Sequence, residues 1–322
     1  MTVTDLGDGI WRITAPLPFV APKSVNCYVF EGQEGLTMLD CGVESEEGLA
    51  AVRTGLGTIG GNLTTLIGSH LHVDHVAAAG ALVEETGARW VMHETTPDEI
   101  PRYNDWTLRA TALATAAGAH GAPTEFTKAL LTDWERPPWY GIAMNPSDAV
   151  ADDDRISLGG DRYLKVLYTP GHQINHICLV DSRTDLLFSG DHILPRISPF
   201  VPYTGPESDH LGDYLASIDR IVRLETSLTH PAHGTEIERG SERAHQISLH
   251  HDRRLEDMID HLTTGPDTAW HVMETTFRPN LSFLQQRLAI QETLAHLEHL
   301  RRKGRLRLIG DPSNWQYERT GR

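Results

Sequence analysis

The sequence predicts an α/β protein followed by a smaller, mainly helical domain. Three observations predict it. From residue 10 to residue 93, short apolar strand-like runs and helix-like runs follow in the order β-β-β-α-β-α-β, an alternation that stacks helices on sheets. A knot of histidines and one aspartate, His70 to His75, falls where a strand turns into a helix. After Gly234 the strand signals give way to long helical periods.

Composition sets the bounds. Of 322 residues, 39% are hydrophobic and 22% charged, enough to bury one large core and a smaller one. The net charge of −16 repels nucleic acid backbones and anionic membrane surfaces. Residues 1–250 carry 17 Lys and Arg against 34 Asp and Glu, and residues 251–322 carry 11 against 10. That shift from −17 to +1 supports a boundary near 237–250, giving a catalytic domain over 1–236 and a tail domain over 237–322. Cys27, Cys41 and Cys178 show no pairing spacing and sit in apolar runs, as buried free thiols of a reducing compartment do. Met1 to Asp8 lacks a basic stretch followed by an apolar one, and no apolar run approaches the roughly 18 residues of a membrane span, so a cytoplasmic protein is expected.

The elements follow in order. Ile10 to Thr14, Val25 to Phe30 and Leu36 to Asp40 read as strands, rich in β-branched and aromatic residues. Ala15 to Ser24, with three prolines, reads as a stiff extended loop. Glu44 to Gly55 reads as a helix ending at glycine. Leu63 to Gly68 reads as a buried strand, Val76 to Glu85 as a helix, and Arg89 to His93 as the next strand. Residues 97–150 interrupt the alternation. They hold Tyr103, Trp106, Phe126, Trp134, Trp139 and Tyr140, with helices expected at 106–117 and 123–134. The sheet resumes at Arg155, with strands at 156–158, 163–168, 176–180 and 186–190. A loop with four prolines spans His192 to Asp209, and Leu211 to Leu224 reads as an amphipathic helix. Helices over 236–262, 267–275 and 281–303 precede two short apolar runs, 306–309 and 315–317, which suggest a hairpin.

The chemistry concentrates in Ser69-His70-Leu71-His72-Val73-Asp74-His75. Neutral imidazoles and carboxylates are the donor set for a borderline divalent cation such as zinc. Alternate residues of an extended segment face the same way, so His70 and His72 would point together at one metal. Asp74 and His75 follow at the turn and could serve a second metal close by. His230 reads as a neighbour of the site or a surface residue, not as a ligand.

His70-Leu71-His72-Val73-Asp74-His75 resembles the H-x-H-x-D-H signature of the metallo-β-lactamase superfamily. Thr169-Pro170-Gly171-His172 resembles its T-P-G-H element, Ser189-Gly190-Asp191 its S/T-G-D element, Ala232-His233-Gly234 its last histidine element, and Asp40-Cys41-Gly42 its early D-x-G turn. The resemblance spans about residues 8–236, with 97–150 as an insertion. It implies a four-layer αββα sandwich carrying two divalent metal ions. One would be held by His70, His72 and His172, the second by Asp74, His75 and His233, with Asp191 between them. Zinc is the first expectation; iron and manganese accept the same ligands. Two departures stand out. After His172 the family's Thr or Ser is replaced by Gln173, and Pro231-Ala232 replaces Pro-Gly before His233. Neither is expected to touch a ligand. The tail's three helices and hairpin resemble the winged-helix-like tail of some members, including β-lactamase-like endoribonucleases.

Paired divalent cations acidify a bridging water and polarise a carbonyl or phosphoryl oxygen, so the expected reaction is metal-assisted hydrolysis. Asp74 is then both ligand and candidate proton shuttle. The acidic body and aromatic insertion point to a small, partly apolar acyl substrate, a thioester first. Lactone or ester hydrolysis is the alternative, and endoribonuclease action the third reading. Phe19, Trp106, Trp139 and Tyr140 are the expected substrate contacts. The long helix from Glu236 would brace the sheet or pair with a second subunit in a homodimer.

Overall fold

The computed structural model describes residues 2–132, 141–224 and 226–321. Trp134, Trp139 and Tyr140 lie outside them. Seven strands form the first sheet in chain order: β1 (Thr2–Gly7), β2 (Ile10–Pro16), β3 (Ser24–Glu31), β4 (Leu36–Leu39), β5 (Leu63–Ile67), β6 (Arg89–His93) and β7 (Asp148–Val150). β1 to β4 pair antiparallel, and β4 to β7 pair parallel. Between them run α1 (Glu46–Ile59), the single turn α2 (Val73–Val76), α3 (Ala79–Thr86) and α4 (Thr96–Asn104). The inserted α5 (Trp106–Ala119) and α6 (Thr124–Thr132) follow. The second sheet, β8 (Arg155–Gly159), β9 (Arg162–Tyr168), β10 (Ile177–Asp181), β11 (Leu187–Gly190) and β12 (Thr229–Pro231), has the order β12-β11-β10-β9-β8. α7 (His210–Val222) precedes β12.

The period of two along each strand sorts side chains into layers. On β3, Tyr28 and Phe30 face the space between the sheets, while Val25, Cys27 and Val29 face the core under α1 and α3. On β9 and β10, Leu164, Val166, Ile177 and Leu179 face the first sheet, and Leu167 and Cys178 face the core under α7. Helix, sheet, sheet and helix therefore stack in four layers, as expected. The three cysteines are buried and free.

The tail consists of α8 (Gly240–His261), α9 (Ala269–Thr276), α10 (Phe283–Arg302) and the hairpin β13 (Leu306–Asp311) with β14 (Asn314–Arg319). Its core is continuous with that of the body. Ile247, Met258, Trp270 and Leu294 belong to one buried cluster with Ile218 and Tyr214 of α7 and Leu130 of the insertion. Phe126 of α6 packs on Trp270 at 4.7 Å and on Phe283 at 5.4 Å, and His120 stacks on Tyr317 at 5.4 Å. The helices of the insertion thus bind the tail to the body.

Several expectations need correction. β1 carries few large apolar residues and no strand is expected there; it pairs at the edge of the first sheet. Gly55 lies inside α1, because Ile13 packs where its side chain would be, and the helix runs on to a cap at Gly60. Residues 76–85 are two helices, not one, since the chain bends at Ala77 and Ala78. α4 forms despite Pro97 and Pro101, the first of which sits in the first turn, where no N–H is needed. The sheet resumes at β7, inside the segment assigned to the insertion. No helix among the described residues is long and apolar enough to cross a membrane.

Candidate metal centre

Four loops at one end of the sandwich deliver the polar side chains: β5 into α2, β9 into β10, β11 into the long loop before α7, and the segment after β12. Two glycines allow their close approach. A side chain at Gly171 would meet the backbone of Tyr214 within 2.6 Å, and one at Gly190 would meet His176 Nε2 at 2.7 Å. Both have positive φ, which glycine adopts without strain.

All seven residues expected from the sequence converge. His70 Nε2 and His172 Nε2 lie 2.8 Å and 3.1 Å from His72 Nδ1. His75 Nε2 and His233 Nε2 lie 3.7 Å and 3.3 Å from Asp74 Oδ2. Asp191 reaches both groups: one oxygen is 3.6 Å from His75 Nε2 and 3.7 Å from His172 Nε2, the other 3.5 Å from His233 Nε2. Donors bound tetrahedrally at about 2.0–2.1 Å sit roughly 3.3 Å apart, and these separations straddle that value. His75 Nε2, His233 Nε2 and Asp191 Oδ1 are buried without a hydrogen-bond partner, a costly arrangement unless a cation takes their lone pairs. The donor set fits divalent metal. His70, His75, His172 and Asp191 form the floor, while His72, Asp74 and His233 are part-exposed at the mouth.

The far nitrogens are held as firmly. Asp40, buried at φ +58°, accepts from Ser69 N at 2.7 Å and Ser69 Oγ at 2.8 Å, and pairs with His75 Nδ1 at 2.8 Å. Ser69 Oγ in turn meets His70 Nδ1 at 3.0 Å. His172 Nδ1 donates to the Phe200 carbonyl at 2.6 Å and His233 Nδ1 to the Ser24 carbonyl at 2.8 Å. Such partners fix each ring's tautomer and orientation. Burial, then neighbouring imidazoles, holds His70 neutral; burial does the same for His72 and His172, the carboxylates opposing it. Burial also disfavours charge on His75, but Asp40, Asp74 and Asp191 outweigh it and raise its pKa well above the usual value. Burial would raise Asp74 and Asp191, yet the imidazoles around them hold both low, so both are anionic at neutral pH.

The remaining candidates lie outside the two ligand groups. Phe19 is half-buried against the core under α1 and α3. Trp106 lies beside the guanidinium groups of Arg109 at 5.8 Å and Arg287 at 5.3 Å. His230 is buried, stacked on Phe188 at 5.3 Å, and belongs to neither ligand group, so it is not a surface residue. Gln173 requires a correction: its side-chain amide lies 2.6 Å from His72 Nε2, so this departure does touch a candidate ligand. Sequence reasoning also passed over Tyr103. Its hydroxyl accepts from Val73 N at 3.2 Å, and its ring lies 6.3 Å from that of His72. Its place among the insertion aromatics, on α4 beside the motif, was the only signal. Two further groups join histidines to carboxylates, but their polar atoms answer one another. His261 and His271 both pair with Asp267, at 2.8 Å and 2.6 Å. Glu292 pairs with Arg254 at 2.6 Å, while His251 and His296 bond to each other at 3.0 Å.

The sequence profile described as the metallo-beta-lactamase superfamily matches residues 20–233, and one described as metallo-beta-lactamase-like, C-terminal domain, matches 255–320. The chain is 25% identical over 304 residues, 91% of its length and 92% of the relative's, to the probable metallo-hydrolase YqjP of Bacillus subtilis. It is 25% identical over 228 residues, 68% of its length and 74% of the relative's, to the acyl-coenzyme A thioesterase MBLAC2 of Bos taurus. A metallo-beta-lactamase family protein of Thermus thermophilus superposes with a TM-score of 0.80 at 28% identity, covering 98% of this chain and all, 100%, of that one. A beta-lactamase domain protein of Burkholderia ambifaria gives 0.78 at 28% identity, covering 99% and 93%.

Proposed function

Since this chain belongs to the metallo-β-lactamase superfamily and is a metal-dependent hydrolase, we propose that it binds two divalent metal ions and cleaves a small acyl thioester. The observation that carries the reading is the position of Asp191, within 3.7 Å of donors from both ligand groups. His70, His72 and His172 would hold one ion, Asp74, His75 and His233 the other, with Asp191 common to both. Zinc suits these donors. Bound there, the ions supply Lewis acidity and an acidified water nucleophile. Asp40, Ser69, Phe200 and Ser24 keep the rings aimed inward. Asp74, anionic and at the mouth, is placed to accept the nucleophile's proton and return it to the departing thiolate.

Thioester cleavage is supported by the thioesterase relative and by Tyr103, an aromatic ring 6.3 Å from that of His72. Lactone or ester hydrolysis uses the same machinery and is the second reading. The test is a turnover panel of acyl-coenzyme A, acyl-glutathione, lactone and RNA substrates with zinc present. Thioester turnover at least tenfold above the others is expected. Turnover confined to lactones or RNA would sink the proposal.

A further inference from the structure

Every imidazole of the candidate centre has two nitrogens, and the structure accounts for both on four of the five rings. In each, one nitrogen faces the donor cluster and the other meets an oxygen: Ser69 Oγ for His70, Asp40 Oδ2 for His75, the Phe200 carbonyl for His172 and the Ser24 carbonyl for His233. His72 is the fifth. Its Nδ1 faces His70 and His172, so Nδ1 must offer the lone pair and Nε2 must carry the proton. The group facing Nε2, at 2.6 Å, is the side-chain amide of Gln173. The nitrogen end of that amide is drawn toward the ring, which would set one donor against another. An amide can turn either end to a neighbour, and a ring N–H calls for the acceptor end.

We propose that Gln173 is a positioning residue whose amide oxygen accepts from His72 Nε2–H, with the amide turned end for end. The acceptor fixes the ring's tautomer and leaves Nδ1 bare toward the other donors. Gln173 directly follows His172, so one short turn aims both rings. His72 is also the part-exposed ring of its trio, where water would otherwise compete for Nε2. Substituting the side chain disturbs little else. Gln173 is half-buried, and its backbone carbonyl, which accepts from Gly171 and His176, remains.

The inference rests on the metal-binding reading above, and the test separates the two. Zinc affinity is measured by competition with a chromophoric chelator on the full chain, for wild type and for Gln173→Ala, Gln173→Met, Gln173→Glu and His72→Ala. Loss of such a partner typically weakens metal binding by about 10–100-fold. The Ala and Met variants should bind one of the two zinc equivalents at least tenfold less tightly, with unchanged circular dichroism. The Glu variant should bind as tightly as wild type or more so, because a carboxylate accepts better than an amide. A Glu variant as weak as the Ala variant would mean that the amide nitrogen faces His72, and the proposal fails. Ala and Met variants equal to wild type, with His72→Ala weakened, would overturn the role of Gln173 alone. Unchanged affinity in His72→Ala would overturn the metal-binding reading and this inference with it.

Discussion

Asp40 and His75 form a buried pair, Oδ2 to Nδ1 at 2.8 Å, with side chains 2% and 0% exposed. The pair joins the end of β4 to the turn after β5, two neighbouring parallel strands. Asp40 also takes the backbone N–H and hydroxyl of Ser69, so one carboxylate orients three groups behind the centre. Its oxygens face no ligand cluster, which makes it a holder rather than a donor.

Asp40→Asn should therefore weaken metal binding without emptying the fold. Asn tolerates the positive φ, but its amide offers one acceptor where three donors converge. Zinc affinity should fall about 10–100-fold in a chelator competition. An affinity within twofold of wild type would show that His75 orients itself without Asp40.

Purified protein should carry close to two equivalents of divalent metal. His72→Ala and Asp191→Ala should each lower that number and abolish hydrolysis while circular dichroism stays native. Elemental analysis after zinc-supplemented growth checks the first point. Well under one equivalent, or retained activity in either variant, would mean that the site is misplaced.

Tyr103→Phe should destabilise the protein by about 1–3 kcal/mol. The lost hydroxyl leaves the buried Val73 N–H, at the start of the turn that bears Asp74 and His75, without its acceptor. Chemical denaturation measures it, and a change below about 0.5 kcal/mol would show that water replaces the hydroxyl.

The candidate ligand set was legible because each of its residues rides a short local motif, and local spacing survives in sequence. Helices on sheets were legible because strand-like and helix-like runs alternate along the chain, and the family resemblance implied the four layers. What was lost depends on long-range neighbours. Gln173 meets His72 across 101 positions, a distance no local pattern spans. Phe200 and Ser24 contribute backbone carbonyls, which carry no residue signature. His230 reads as a neighbour of the site or a surface residue, and local pattern could not show that its ring packs flat on Phe188. Phe126 of the insertion packs its ring on the tail's Trp270 and Phe283, partners far away in sequence.

Acid should unfold the protein early. Burial holds His120 and His230 down to about 4, and His192 and His251 down to about 3. Their folded pKa values lie below the unfolded value of about 6.5, so the unfolded chain binds more protons between the two. Stability is then full above about pH 6.5 and falls as pH drops toward 4. Each residue contributes a loss of up to about 1.4 kcal/mol for every pH unit crossed in that interval. Tm measured with chelator present, so that metal release plays no part, should decline over this window. His120→Phe should flatten the decline. A Tm constant from pH 7 to pH 5 would contradict it.

The tail should not make this a nuclease. Nonspecific affinity for nucleic acid comes mostly from cations that neutralise phosphates. The tail's basic cluster looks suited to that in sequence, but its side chains are engaged. Arg301 pairs with Glu298 at 2.8 Å and Arg305 with Glu256 at 3.4 Å, while Arg307 pairs with Glu318 and Arg302 donates to the Pro206 carbonyl. Freeing them for phosphate would cost these bonds, and the body beside them carries 34 acidic residues against 17 basic ones over positions 1–250. The tail's buried face is instead spent on α7 and the insertion, so a chain cut after residue 236 should be insoluble. Single-stranded RNA incubated with zinc-loaded protein at about 0.1 M salt, where charges are screened beyond about 10 Å, should remain uncut. Cleavage that is lost both in Asp191→Ala and on neutralising Arg301, Arg302 and Lys303 would establish the opposite, since it would require the centre and the tail to act on one strand.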